Sequence, residues 1–327
     1  TVICSDKTGT LTQNRQVVQE LRVGTESVSV SGQGYDPSGS LSASAIQAPA
    51  GASAGSAAGA RTLLLQAGVL CSDAEHKQLA DGSWDILGDP TEGALLVVAG
   101  KDGIDDFGLR NRYRRVAEIP FSSERQWMAV WVEDLDGTLQ APLGESAAGS
   151  QRLLLTKGAP EVVLEGCNRW IDGSGVVPLS ETQRDWWLEQ ARQWAAEGLR
   201  VLAFSCAPHH QDPDQEIKDQ VLLGLMAQLD PARPEVAQAV ATCRQAGIRP
   251  VMITGDHPLT ARAIGSGIGL TDANGDYKFE NLKPGKYGVL EEQPAGYFDS
   301  GEMPGSAGGV VSANDKITGA VLGSGVH

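Results

Sequence analysis

Apolar residues fall in short blocks along the chain, and their periods differ from one end to the other. Val2 and Ile3 make a short strand that runs straight into a polar segment, Ser5 to Thr12. In Glu181 to Trp194 (ETQRDWWLEQARQW), Trp187, Ala191 and Trp194 recur on one helical face, a spacing that predicts a helix packed through its tryptophans. Pro234 to Ala246 predicts a second helix, with Pro at its start, Gly247 just past its end, and Val236, Val240 and Cys243 on one side. Arg249 to Ile253 reads as a strand. The longest apolar run, Gly93 to Gly100, is far short of the roughly 20 residues a membrane helix needs. The chain is therefore expected to span no bilayer by itself.

Three stretches break this pattern. Ser38 to Ala60 is built of small residues that bury little, and predicts a mobile loop or linker. Gly144 to Ser150 (GESAAGS) is a shorter echo, expected to be a hairpin excursion. From Thr271 the chain changes style, with short alternating strands set between NG, PG and AG turns. Asn274-Gly275 is a strong hairpin signal, because a type I′ turn needs positive φ at both central residues. All five Cys and all seven Trp precede this point, whereas three of the five Tyr follow it, so a domain junction is expected at Leu270/Thr271.

Composition narrows the class of protein. With 327 residues, 41% hydrophobic and 20% charged, the chain is globular and long enough for two or three domains. A formal net charge of -15 excludes a nucleic-acid binder that works by neutralising phosphates, so no nucleic-acid partner is expected. The five cysteines, Cys4, Cys71, Cys167, Cys206 and Cys243, are scattered without a C-x-x-C pair, which fits reduced thiols and neither a disulfide framework nor a zinc site. Adjacent His209 and His210 lack companion ligands. Asp212, Asp214 and Glu216 read as a solvated loop, as do Asp102, Asp105 and Asp106, which lack a full calcium-loop pattern. The start at Thr1, with no Met and no signal-peptide pattern, reads as a piece of something longer.

The richest chemistry lies in TVICSDKTGTLTQN. A polar loop at the carboxyl end of a strand is where open α/β sheets bind ligands. Asp6 there has the chemistry of a nucleophile for a γ-phosphate, Lys7 adds positive charge, and Thr8 to Thr10 offer hydroxyl and backbone groups to phosphate or Mg²⁺. An ordinary strand-to-loop turn with an Asx cap fits the same residues, and spacing alone favours that plainer reading.

The block DKTGTLT resembles the phosphorylation motif of the P-type ATPases, the ATP-driven ion pumps. Six further blocks follow in family order: GDPTEGALL from Gly88, PFSSERQWM from Pro120, KGAPE from Lys157, GLRVLAF from Gly198, DPARPEV from Asp230 and ITGDHPLTA from Ile253. The resemblance covers residues 1 to about 270, and the KGAPE and GDPTEGALL blocks point to its calcium-pump-like branch. It implies an α/β fold: a partial haloacid-dehalogenase-like phosphorylation domain (residues 1–16 and 230–270) with an inserted α+β nucleotide-binding domain (residues 17–229). ATP would phosphorylate Asp6, with Mg²⁺ held by the Asp6 carboxylate and the Thr8 carbonyl. Thr254, Gly255 and Asp256 would lie near the γ-phosphate. In the inserted domain Phe121 would stack on adenine, Glu92 would lie close to it, and Lys157 with Gly158 would line the pocket. Arg125 and Arg200 would contribute guanidinium groups, the latter to the phosphates.

Each of these also has a plainer reading: a core aromatic for Phe121, a solvated lysine for Lys157, a helix-start acid for Glu92. Many relatives carry Lys where this chain has Gln126, and a neutral amide lacks the point charge, so weaker ATP binding is expected, partly offset by Arg125.

A GDGxNDxP block, which should follow Leu270 in such a pump, is not found, so sustained turnover is not expected of this chain. The transported cation would be handled by membrane helices that are not in the sequence. The parent pump would be an integral membrane protein with this region on its cytoplasmic face.

The tail, residues 271–327, resembles the second half of a B-type, prealbumin-like repeat of bacterial surface adhesins, which implies a β-sandwich fragment of extracellular type with an unknown partner. Asp272, Asn274 and Asp276 mimic the start of a calcium loop, but a hairpin fits them better. A catalytic half joined to an extracellular half-domain leads to the expectation that the junction is a chimera of gene fragments. Two other functional classes compete with the pump reading. One is a non-catalytic surface protein acting through the tail; the other is a soluble haloacid-dehalogenase phosphatase.

Overall fold

The computed structural model describes residues 2–32, 34–53, 58–135, 137–147, 152–208, 217–254, 258–271, 285–290, 310–313 and 316–322. The chain divides into two units, Thr1–Gly275 and Asp276–His327.

The first unit opens with strand β1 (Val2–Asp6) and a turn over Lys7–Leu11. Strands β2 (Val17–Val23), β3 (Glu26–Val30) and β4 (Leu41–Ala45) follow as an antiparallel meander, then helix α1 (Ala58–Leu70). A hairpin of β5 (Glu75–Gln78) and β6 (Trp84–Leu87) leads to α2 (Pro90–Lys101) and α3 (Asp106–Arg112). Then come β7 (Arg115–Ile119), β8 (Trp127–Glu133), β9 (Arg152–Gly158), α4 (Pro160–Glu165), β10 (Cys167–Asp172), β11 (Gly175–Pro178) and α5 (Glu181–Ala196). The long strands β12 (Arg200–Pro208) and β13 (Gln220–Leu229) precede α6 (Val236–Gln245), β14 (Arg249–Ile253) and α7 (Pro258–Gly267).

Ten of these strands form one sheet, ordered β4-β3-β2-β13-β12-β9-β8-β7, with β10 also on β13 and β11 on β10. All its pairings are antiparallel except β10 with β13. A sheet covered on both faces needs strands that are apolar throughout, and β13 is the clearest case, buried over nearly its whole length. Val221, Leu223 and Met226 join the core beneath α1 and α2, while Leu222, Leu225 and Ala227 join the core beneath α4 and α5. The alternation slips by one at Gly224, where the register with β12 shifts. Gly224 sits at φ +152° with its α-carbon against the Arg22 carbonyl, leaving no room for a Cβ. The bulge thus re-aims the rest of the strand.

Helix starts follow their capping chemistry. Asp89 accepts hydrogen bonds from the Thr91 and Glu92 amides, with Pro90 at the first helical position of α2. Ser180 and Gln183 form a reciprocal capping box at the start of α5. Trp187, Ala191 and Trp194 are buried on the sheet-facing side of α5, as their spacing predicts, and Trp187 meets Trp170 edge-on with ring centroids 5.8 Å apart.

Two expectations change, that for Ser38 to Ala60 and that for the acids Asp102, Asp105 and Asp106, whereas Gly144 to Ser150 does fall in a hairpin connection. Ser38 to Ala60 is not simply a loop: Leu41–Ala45 pairs with β3 as the edge of the sheet, and α1 begins at Ala58. Small side chains bury little, but a neighbouring strand's backbone supplies the hydrogen bonds that hold such an edge. Gly144 to Ser150 falls within the connection between the antiparallel neighbours β8 and β9, with Ala141–Ala147 in a short 3₁₀ segment. The other loop acids take structural places. Asp102 pairs with Arg61 at 3.3 Å, Asp105 occupies the N-cap position of α3, and Asp106 begins that helix.

Outside the large sheet, β1 and β14 form a parallel pair of their own, in register from Val2 opposite Arg249 to Asp6 opposite Ile253. Helices α6 and α7 bury Val236, Val240, Ile264 and Ile268 together with Leu11 beside this pair. In the second unit, β15 (Gly285–Leu290), β16 (Val310–Ala313) and β17 (Lys316–Leu322) form one antiparallel sheet, ordered β15-β17-β16. Among the described residues no helix is long and apolar enough to cross a membrane.

Candidate functional site

Two groups of predicted residues come together, each within the first unit. The first gathers at the carboxyl ends of β1 and β14. Because the strands are parallel and in register, Asp6 and Ile253 end side by side, and Thr254 leaves the sheet next to Asp6. Asp6 is exposed there. Lys7 is buried at the start of the turn, while Thr8 is exposed, with its backbone outside the helical region at φ -74° and ψ 124°. Gly255 and Asp256 lie outside the described residues, as do His209, His210, Asp212, Asp214, Glu216, Asp272, Asn274 and Asp276.

What shapes this turn is a buried contact the sequence reading did not single out. Thr12 is fully buried, and its hydroxyl donates to Asp230 Oδ2 at 2.6 Å. Asp230 Oδ1 accepts the Arg15 amide at 3.1 Å. The Lys7 carbonyl takes the Thr12 amide at 3.0 Å, and Arg233 donates to the Gly9 carbonyl at 2.8 Å and, from its backbone, to Leu11. The DKTGTLT and DPARPEV blocks are therefore one structural object. They are the two crossings between the parallel pair and the large sheet, tied by a charged hydrogen bond out of water.

The second group lies where β8, β9 and β12 meet the start of α2. Lys157 is only 7% exposed, which overturns the solvated-lysine reading, and its ammonium sits 2.7 Å from Glu92 Oε1. Glu92 occupies the first turn of α2, as its plainer reading also required. Its second oxygen accepts the backbone amides of Asp73 at 2.7 Å and Ala74 at 3.3 Å. Buried charges need this kind of pairing with further hydrogen bonds, since an unpaired one costs several kcal/mol.

Phe121 is 59% exposed and sits in the loop after β7, so it is no core aromatic. The loop is held by Arg125, whose guanidinium donates to the Pro120 carbonyl at 2.7 Å and lies over the Trp127 ring. The loop is fastened to β9 where the Ala159 amide meets the Gln126 carbonyl at 2.9 Å. Gln126 adopts φ +61°, unusual for a residue with a side chain. Gly158 is needed for this approach, since a Cβ there would lie 2.6 Å from both the Gln126 carbonyl and Trp127 Cβ. Arg200 starts β12, exposed, with one guanidinium nitrogen 3.4 Å from the Thr91 hydroxyl. Its cross-strand partner Gln228 is buried and donates to the Thr91 carbonyl at 3.1 Å. An exposed aromatic, a buried lysine–glutamate pair and an outward arginine thus lie at one end of the sheet, where β7, β8, β9 and β12 are neighbours. Such a set can stack a planar base, bind polar groups and meet negative charge.

Sequence reading missed the Asp73 and Ala74 amides, Thr91 and Gln228. The polar CSDA step after the apolar LLLQAGVL run was the available signal, but it cannot say which carboxylate those amides meet.

Comparison with known proteins bears on the family of the chain. Residues 61–235 match the model of the P-type ATPase cytoplasmic domain N. The calcium-transporting ATPase of Bacillus subtilis is 37% identical over 280 residues, 84% of this chain and 29% of that protein. The cation-transporting ATPase pma1 of Synechocystis is 35% identical over 297 residues, 89% of this chain and 31% of its own. The human calcium-transporting ATPase type 2C member 2 is 35% identical over 275 residues, 82% of this chain and 26% of its own. The chain thus spans less than a third of the length of these relatives. It belongs to the P-type ATPases, as a calcium-pump-like region that includes their cytoplasmic domain N.

Proposed function

We propose that this chain is the ATP-binding and aspartate-phosphorylating region of a cation-transporting P-type ATPase. ATP binds at the end of the sheet carrying Phe121, Glu92, Arg125, Lys157, Gly158 and Arg200. The adenine stacks on Phe121, and Arg200 meets the phosphates. The observation that carries the binding half is the buried Lys157–Glu92 pair at the same end of the sheet as an exposed Phe121. A lysine this deep, with its carboxylate held by two amides, is costly to build for stability alone.

In the transfer half, a carboxylate oxygen of Asp6 attacks the γ-phosphorus. The bond from that phosphorus to the bridging oxygen breaks, ADP leaves with the electron pair, and an aspartyl phosphate remains. Asp6 and the Thr8 carbonyl are hard oxygen donors at an exposed strand end, a set that suits Mg²⁺, which commonly takes one or two carboxylates plus phosphate oxygens and water. Bound there, the metal supplies charge neutralisation for the phosphoryl group. Thr254 leaves β14 beside Asp6 and would contact the same phosphate, a role that the ITGD block extends to Gly255 and Asp256. The in-register ends of β1 and β14 support this reading.

The separate sheets also support a division into a phosphorylation part (residues 1–16 and 230–270), a nucleotide part (17–229) and a distinct tail (271–327). The region would face the cytoplasm on a membrane pump, and the calcium-transporting relatives favour calcium as the cargo. The matches across the nucleotide-binding region weigh against a surface protein acting through the tail and against a stand-alone phosphatase. The test is incubation with Mg·ATP and a search for an acid-stable, hydroxylamine-labile phosphate. We expect it in the native chain and not in Asp6→Asn, with ATP bound by both. A phosphate that survives Asp6→Asn refutes the transfer half, and no ATP binding refutes the whole.

A further inference from the structure

Behind Glu92 stands a layer that none of the motifs contains. The loop from Cys71 to Ala74 leaves α1 and presents its amides to Glu92, while its carbonyls point to two arginines from other elements. Arg110 of α3 donates through one nitrogen to the carbonyls of Ser72 at 3.0 Å and Ala74 at 3.0 Å. Arg115 of β7 donates to Leu70 at 2.8 Å and Ser72 at 3.2 Å, and its other nitrogen holds Asp73 Oδ1 at 2.6 Å and Glu118 at 2.8 Å.

Both guanidinium groups therefore converge on the Ser72 carbonyl. In a trans peptide the carbonyl of one residue and the amide of the next lie in one plane and point in opposite directions. The amide opposite the Ser72 carbonyl belongs to Asp73, and it is the donor 2.7 Å from Glu92 Oε2. A single peptide plane thus has two cations on its oxygen side and a carboxylate on its nitrogen side. Cations on the carbonyl also polarise the amide and strengthen its bond to the carboxylate.

We propose that Arg110 and Arg115 are positioning residues of the nucleotide site. They fix the 72–74 backbone so that Glu92 is held by its amides and in turn holds the Lys157 ammonium. The inference rests on the nucleotide-site reading above. Capping the end of α1 is the plainer role for the same arginines, and the two roles predict different readouts. Lysine at either position keeps the charge but has no planar fork to serve several acceptors at once.

The experiment uses the full chain with Arg110→Lys, Arg115→Lys and their combination. Three quantities are measured: the ATP dissociation constant by calorimetry, the thermal midpoint, and the acetylation rate of Lys157 with acetic anhydride relative to exposed Lys77, read by mass spectrometry. We expect the double variant to bind ATP about tenfold more weakly, the loss of one charge-assisted hydrogen bond's worth of positioning. Lys157 acetylation should rise severalfold as its carboxylate loosens. A lowered melting point with unchanged ATP affinity and unchanged Lys157 reactivity would reduce the arginines to a helix cap and overturn the proposal. If the native chain binds no ATP yet Lys157 reactivity still rises in the variants, the nucleotide reading fails while the positioning of the pair stands.

Discussion

Neutralising Glu92 is the sharpest probe of the buried pair. In Glu92→Gln the shape is kept and the charge is lost, so the Lys157 ammonium stays out of water without its counter-ion. The two side chains are 9% and 17% exposed, so solvent screens little of the interaction. Removing one partner of a buried pair costs about 3–5 kcal/mol. The amide oxygen can still accept from Lys157 or from the Asp73 amide, which points to the low end, about 3 kcal/mol. For a domain of this size that is a fall of roughly 6–12 °C in the melting point. Lys157→Met alone strands the carboxylate instead, and adding it to Glu92→Gln removes the stranded ammonium. The double variant should therefore be less destabilised than the sum of the singles by about 2 kcal/mol. Urea unfolding followed by tryptophan fluorescence measures all four corners of the cycle. Arg114→Ala is the control: its partner Glu133 is 2.8 Å away but the arginine is largely exposed, so the loss should be below about 1 kcal/mol. A coupling within about 0.5 kcal/mol of zero would show that the pair is solvated, contrary to the burial described.

Three further outcomes follow from particular contacts. Thr12→Val should destabilise by about 1.5–3 kcal/mol, because it leaves the buried Asp230 oxygen without its hydroxyl donor; a midpoint unchanged in urea titration would contradict that. Gln126→Lys should tighten ATP binding by adding a point charge beside the Phe121 loop, and equal affinity in calorimetry would count against the loss inferred for the native amide. Burial pushes the Cys71 and Cys167 thiols up to about 12 and the Cys206 thiol higher still, so alkylation by iodoacetamide at pH 8 should mark exposed Cys4 and spare these three. Those thiols ionise more easily in the unfolded chain, near 9, so their contribution to stability is complete below that pH. It is lost as pH climbs from about 9 toward about 12, and stability that rose across that window would be the wrong sign.

The sequence by itself determined the local chemistry and most of the local structure. The strand at Arg249–Ile253 and the α6 helix with its buried Val236 and Val240 follow from periodicity and end signals within a few residues. So does the tryptophan face of α5. The motif blocks identified the family because they are contiguous runs, readable without knowing what they touch. What the tertiary structure decided is everything that depends on groups far apart in sequence meeting out of water. The sequence left Lys157 open between a solvated lysine and one lining a nucleotide pocket, and only folding brought it to Glu92, 65 residues away. Phe121 was open between a core aromatic and a platform for adenine, and the loop after β7 leaves it exposed rather than in the core. The Ser38–Ala60 stretch looked structureless because its side chains have little to bury, yet β3 offers it a backbone edge. The Arg110 and Arg115 clamp had no local signature at all. A guanidinium that binds carbonyls some forty residues away leaves no periodic trace, because its partners are main-chain atoms that every residue shares.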